Sequence, residues 1–93
     1  MSTEPEDMMV VTSAYVTDDK MPILIVSHEN DEEGGSLWQF HCGNGDYDMS
    51  KMLLVRLDTI IAIDETIKDI LHLSKGLTAI RHSKVSPWEY EAL

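Results

Sequence analysis

The hydrophobic pattern changes its period near residue 57, and this change constrains the fold more than any other feature. Before it, short runs rich in apolar residues, most densely β-branched and aromatic at 9–17, occupy 9–17, 23–28, 37–42 and 52–56, as is typical of strands. After it, isoleucine and leucine recur every three or four positions up to residue 73, as on one face of helical structure. We therefore predict an α+β domain.

The predicted architecture is a small, mostly antiparallel sheet of four to five strands, with two short helices packed on one face. The helices are expected at about 59–63 and 65–74, with Asp58 and Asp64 as N-caps, because their carboxylates can accept hydrogen bonds from first-turn amides. Gly76 suits the left-handed position after the second helix.

The end of the chain is expected to return to the sheet. A strand is predicted at 77–82, followed by an ending at 86–93 in which Trp88 closes one edge of the core. A chain of 93 residues fits one domain, which we place at 9–93. The acidic, polar residues 1–8 are predicted to form a flexible tail.

The alternation of residues 38–42 predicts which side chains enter the core. If 23–28 and 37–42 pair as a symmetric hairpin, His28 lies opposite Leu37 and Leu24 opposite His41. One-residue slips exchange the two faces of a strand. In this register the residues of the core face are Ile23, Ile25, Trp38, Phe40 and Cys42.

Charge is concentrated in the first half of the chain. The net charge is −10, and residues 1–49 hold eleven Asp or Glu against Lys20 alone. Such a surface repels nucleic acid and attracts basic proteins. The candidate partner-binding residues are Glu29, Asp31, Glu32, Glu33, Asp46 and Asp48.

Cysteine content and the first residues indicate a cytoplasmic location. Cys42 is the single cysteine, which excludes an intramolecular disulfide and favours a reducing compartment. The acidic start lacks the basic and apolar regions of a signal peptide, and no run of residues has the length of a membrane span. We expect no membrane partner.

No catalytic, metal or cofactor-binding residue is predicted. Asn44, Asp46 and Asp48 alternate like the first ligands of a calcium loop, but Met49 and Val55 stand where that loop needs Gly and Glu. In the symmetric hairpin His28 and His41 lie about 13 Å apart, too far to share an ion. Cys42 is expected to act as packing beside Phe40.

One combination of residues resembles a known family. Its positions are Trp38, Phe40, Gly43, Tyr47, "VRLDTIIAID" at 55–64, Ile67, Leu73, Gly76, Ala79 and Arg81. They resemble the W-x-F, the acidic glycine turn and the closing Gly, Ala and Arg of a small bacterial domain family of unknown function, related to immunity proteins of polymorphic toxin systems. The chain departs from that pattern at Glu65, where the family has proline.

The resemblance implies a non-catalytic cytoplasmic binding protein that neutralises a toxin. An acidic surface suits this role because it can match the potential of a basic toxin. Two alternatives stay open: a small enzyme using His28, His41 or Arg81, and an interaction module or homodimer formed by exposed strand edges.

Overall fold

The fold is one mixed sheet of six strands with short helices, in a computed structural model that describes residues 6–46 and 48–93. The strands are β1 (Met9–Ser13), β2 (Ile25–Asn30), β3 (Ser36–His41), β4 (Met52–Arg56), β5 (Leu77–Ile80) and β6 (Glu89–Ala92). The α-helices are α1 (Ala14–Thr17) and α2 (Leu57–Ile63), and 3₁₀ helices occupy Met49–Lys51 and Glu65–Ile70. The predicted α+β class is confirmed.

The sheet is larger than predicted, with the order β4-β1-β3-β2-β5-β6. β1 and β3 are parallel, and every other neighbouring pair is antiparallel. The hydrophobic pattern does not predict β6, because its four residues, two of them glutamate, are all exposed. Backbone pairing with β5 makes it a strand, since it has no apolar face to bury.

The predicted first strand, 9–17, is too long. It ends at Ser13, and the chain turns into α1, which buries Val16 in the core. The turn also brings Tyr15 towards the loop after β3, where its hydroxyl donates to Asp46. β-Branched residues alone could not reveal this turn, because their propensity yields to tertiary packing.

The predicted hairpin register is wrong by one residue. His28 pairs with Trp38, Val26 with Phe40 and Ile25 with His41. The connecting loop is the five residues 31–35, in which Asp31 Oδ1 accepts hydrogen bonds from two loop amides and Gly34 has a φ of 82°. This asymmetric loop sets the register.

The corrected register exchanges two of the predicted positions. Ile25 leaves the core face of Trp38 and shares the opposite face with His41, while His28 takes the buried side. His28 and His41 therefore lie on opposite faces, rather than on one face as the symmetric hairpin placed them. The prediction that Cys42 points inward is confirmed, because its side chain belongs to the core cluster.

α2 begins two residues earlier than predicted and has no side-chain cap. The N–H groups of Leu57 and Asp58 donate to the carbonyls of Met8 and Glu6 at 2.9 and 2.8 Å, so the backbone satisfies amides that a capping carboxylate would otherwise serve. Asp58 is thus not the N-cap and instead pairs with Arg56. Residues 1–5 of the predicted tail lie outside the described residues.

Asp64 is an N-cap, as predicted, but it caps a 3₁₀ helix. Its Oδ1 accepts from the Thr66 N–H at 3.0 Å and from the Thr66 hydroxyl at 2.6 Å. The helix stops at Ile70 instead of residue 74. The predicted last strand, 77–82, likewise stops early, at Ile80, because Arg81 turns its side chain to Asp64 at 2.7 Å.

The core lies between the helices and one face of the sheet, which we call the inner face. Trp38 is at its centre, with the ring of His28 stacked on it at 3.9 Å and Phe40 beyond at 6.1 Å. The core cluster is Val10, Val16, Ile23, Val26, Trp38, Phe40, Cys42, Leu57, Ile60, Ile61, Ile67, Ile70, Leu71, Leu73 and Ala79.

The two Arg–Asp pairs allow a matched test of how the core is held together. Asp64→Asn should lower the free energy of unfolding by about 3 kcal/mol, because it leaves Arg81 charged and buried without its counterion. Asp58→Asn removes the same charge from a pair with side chains 58% and 40% exposed, where little stability is at stake. Urea denaturation of both variants checks this, and equal losses would contradict it.

Candidate functional site

The candidate site is a groove on the sheet face turned away from the core, which we call the outer face. In the observed register Val11 of β1 lies opposite Leu54 of β4 and beside Gln39 of β3. A shallow cavity of about 460 Å³ lies there, lined by Val11, Gln39, Met49, Met52, Leu53 and Leu54. We call it the outer groove.

The outer groove is apolar except for Gln39. Met49 is 81% exposed and Leu54 is 67% exposed; Met9, opposite Arg56 at the other end of the β1–β4 pair, is 52% exposed. Contiguous apolar surface of this kind marks binding sites in soluble proteins. Methionine side chains adapt to varied partner shapes, which suits such a surface.

One end of the outer groove carries negative charge. Asp48 caps the 3₁₀ helix whose first residue is Met49, and its Oδ1 accepts from the Ser50 N–H at 3.0 Å. Asp46 accepts a hydrogen bond from the Tyr15 hydroxyl. That bond, then burial, and then the charges of Asp46, Asp19 and Asp48 raise the pKa of Tyr15. We call these three carboxylates the acidic rim.

The alternation of Asn44, Asp46 and Asp48 has a structural explanation. Each side chain accepts a hydrogen bond from the amide two residues later, at 3.0 Å in all three cases. These are successive Asx turns. The hydrogen bond from Tyr15, with that from the Asp48 amide, lowers the pKa of Asp46, so this carboxylate stays ionised at neutral pH.

Glu29 lies beside Gln39 on the outer face, whereas the other three predicted binding residues lie at the far end of β3. The loop 31–35 enters β3 and Cys42 follows it, so the six residues of β3 lie between the two loops and span about 17 Å. Glu29 accepts from the Gln39 amide at 2.8 Å, and Asp31 closes the hairpin loop. Glu32 and Glu33 are exposed. The six residues thus form two groups, and their binding role stays a prediction.

A chain of polar side chains crosses the middle of the outer face. His41 Nε2 lies 2.9 Å from Gln39 Oε1, and Glu29 Oε2 lies 3.2 Å from the Ser27 hydroxyl. Burial lowers the pKa of His41, although the charge of Glu29 opposes the shift. His41 is therefore neutral at pH 7, with its ring held by its neighbours.

The three residues considered for an enzyme are not brought together. His28 lies on the inner face, where Nδ1 donates to the Leu73 carbonyl at 2.6 Å and Nε2 is 2.9 Å from the Ser36 hydroxyl. Arg81 is bound to Asp64, and His41 is on the outer face. Within residues 6–46 and 48–93, no three His, Cys, Asp or Glu side chains are grouped to hold a metal.

One signal for the groove is present in the sequence, at β4. "MLLV" at 52–55 is apolar at four consecutive positions, whereas a strand with one solvent face should alternate. An unbroken apolar run on an edge strand indicates that its outward side chains are kept for contact. Tyr47, part of the family resemblance, lies outside the described residues.

Comparisons with known proteins do not extend these observations. No family model matches the sequence, and no curated protein or solved structure is significantly similar to it. Among the described helices, none has the length and apolar character needed to cross a bilayer.

The lowered pKa of His41 predicts a loss of stability in mild acid. The unfolded chain binds a proton near its ordinary value of 6.5, whereas the folded protein binds it only at lower pH. The free energy of unfolding should therefore fall from pH 7 to pH 5, by at most about 1.4 kcal/mol per pH unit for one proton.

The variant His41→Gln isolates this titration. It should flatten the pH dependence of urea unfolding between pH 7 and pH 5, while His72→Gln, which replaces an exposed histidine, should leave the slope as it is. If His41→Gln keeps the full slope, another group is responsible.

Proposed function

We propose that this protein is a non-catalytic binding protein that docks a basic protein partner on the outer groove. The observation that carries the proposal is the contact between an exposed apolar groove and the acidic rim, through the adjacent residues Asp48 and Met49. Such a site offers apolar area for burial together with charge of one sign for selection and steering.

The chemistry of the groove defines the partner. A basic side chain beside an apolar one would place its charge near Asp46, whose pKa is lowered, while the apolar side chain enters between Met49 and Leu54. Gln39 is the one polar residue lining the groove. These features favour recognition of a surface over turnover of a small substrate, for which convergent polar groups are needed.

The immunity role is the most specific form of this proposal. It is supported by the resemblance of the W-x-F residues and of Gly76, Ala79 and Arg81 to the immunity-related family, and by the net charge of −10. A protein of this kind would act in the cytoplasm, as the single cysteine also suggests. It would bind a basic toxin and block its functional surface.

Coexpression with the product of the neighbouring gene tests the proposal. The wild-type protein should restore growth and form a complex that weakens as salt rises, because the charges are screened. Asp46→Asn with Asp48→Asn should weaken that complex by at least tenfold in affinity, or about 1.4 kcal/mol.

The matched control is Glu32→Gln with Glu33→Gln, which removes two charges from the opposite end of β3. It should bind like the wild-type protein if the outer groove is the site. Equal losses in both double variants would indicate a general charge effect and overturn the location, and absence of any complex or rescue would overturn the immunity role. Circular dichroism of each variant verifies folding.

A further inference from the structure

The free edge of β4 carries backbone donors and acceptors that are complementary to those of the same edge in a second copy. β4 is at one end of the sheet, and within the described residues no strand pairs with its outer side. In an antiparallel ladder, residue pairs alternate between those that exchange backbone hydrogen bonds and those that direct these groups away. The register therefore determines which groups of β4 face solvent.

One hydrogen bond shows which residues of β4 exchange backbone bonds with β1 and which direct these groups outward. Leu57 N–H donates to the Met8 carbonyl at 2.9 Å, and these residues continue the register in which Met9 is opposite Arg56. Counting in steps of two, Val55 and Leu53 exchange bonds with β1. The backbone groups of Met52, Leu54 and Arg56 consequently point outward.

Two of these six outward groups are already bonded. The Met52 N–H donates to the Met49 carbonyl, and the Arg56 carbonyl accepts the first bond of α2 as its N-cap. What remains is the Met52 carbonyl, both groups of Leu54 and the Arg56 N–H. These are two acceptors and two donors, placed symmetrically about Leu54.

A two-fold axis through Leu54 satisfies all four groups. The Leu54 N–H and carbonyl exchange bonds with Leu54 of a second copy, and each Arg56 N–H reaches the Met52 carbonyl of the other. No outward donor or acceptor is left over. A second copy presents the same four groups in the reverse order, so each donor meets an acceptor.

The side chains and charges are also complementary in this register. Leu54 meets Leu54, and Leu53 meets Val55 of the other copy, which joins side chains of an apolar edge. Lys51 precedes β4 and approaches the end where Asp58 of the second copy lies in the first turn of α2. Segment 48–58 carries two acids and two bases, so it is neutral within a chain of charge −10.

The other free edge, β6, lacks this property. Leu93 N–H donates to the Gly76 carbonyl at 2.9 Å, which by the same counting directs the backbone of Tyr90 and Ala92 outward. Self-pairing about Tyr90 would set Glu89 opposite Glu91, and like charges directly opposite are destabilising. The two edges are thus distinguished by charge.

From these observations we infer that β4 pairs antiparallel with β4 of a second copy, forming a symmetric dimer with a continuous sheet. The inference does not depend on the binding function proposed above, because the backbone groups of the β4 edge carry it, although the side chains of Leu53 and Leu54 also line the outer groove. Edge pairing of five residues is a small interface, so the dimer should be weak and in exchange with the monomer.

Sedimentation over a range from about 5 µM to about 1 mM, suited to a weak interface, tests the inference. The mass of the wild-type protein should rise from 10.5 kDa towards twice that value and no further. Leu54→Pro removes one outward donor without breaking a bond to β1, and should stay monomeric. Tyr90→Pro makes the matching change on β6 and should dimerise like the wild type.

Amide hydrogen exchange of the wild-type protein is a second test of the dimer. The N–H groups of Leu54 and Arg56 should exchange at least fivefold more slowly at the top of the concentration range, while that of Tyr90 is unaffected. A constant wild-type mass, a dimer that survives in folded Leu54→Pro, growth beyond the dimer, or concentration-independent exchange at Leu54 would each overturn the inference.

Discussion

The buried ion pair of Arg81 and Asp64 is the interaction on which the rest of the structure depends. The two side chains are 2% and 3% exposed and 2.7 Å apart. The guanidinium also donates to the Ile23 carbonyl, the Thr66 hydroxyl and the Lys84 carbonyl, each at 3.0 Å, and Trp88 stacks on it at 4.2 Å. One side chain thus joins the entrance of β2, the 3₁₀ helix and the segment leading to β6.

The fold tolerates the burial of this ion pair because both side chains are hydrogen-bonded. Desolvation alone raises the pKa of Asp64, but hydrogen bonds from Thr66 and Arg81 outweigh it and the net pKa is lowered, so the pair is charged in the folded state. A buried pair missing a partner costs several kcal/mol, whereas a complete one specifies geometry. We infer that the pair determines the position of the helices on the sheet. The apolar contacts of Ile67 and Ile70 alone would specify this position less strictly.

Sequence reasoning succeeded where one local rule was sufficient. It found the strong strands, the cap at Asp64 and the inward Cys42. It failed where two parts of the chain decide together: the loop 31–35 sets the β2–β3 register, and the carbonyls of Glu6 and Met8 replace the cap expected from Asp58. The resemblance contained Asp64 and Arg81, but spacing in sequence could not show that they meet.

The same limit explains why the acidic residues were an incomplete guide to the site. Charge can be counted along a chain, but Asp46 and Asp48 gain a context only because Asp46 meets Tyr15 and Asp48 caps the helix that begins at Met49. The strong overall charge has a further consequence. It opposes close approach of two copies through residues 1–49, where the excess of acid lies, whereas the charges of segment 48–58 cancel. An apolar edge in such a neutral segment can therefore stay exposed with limited association, since repulsion between the acidic halves opposes larger assemblies.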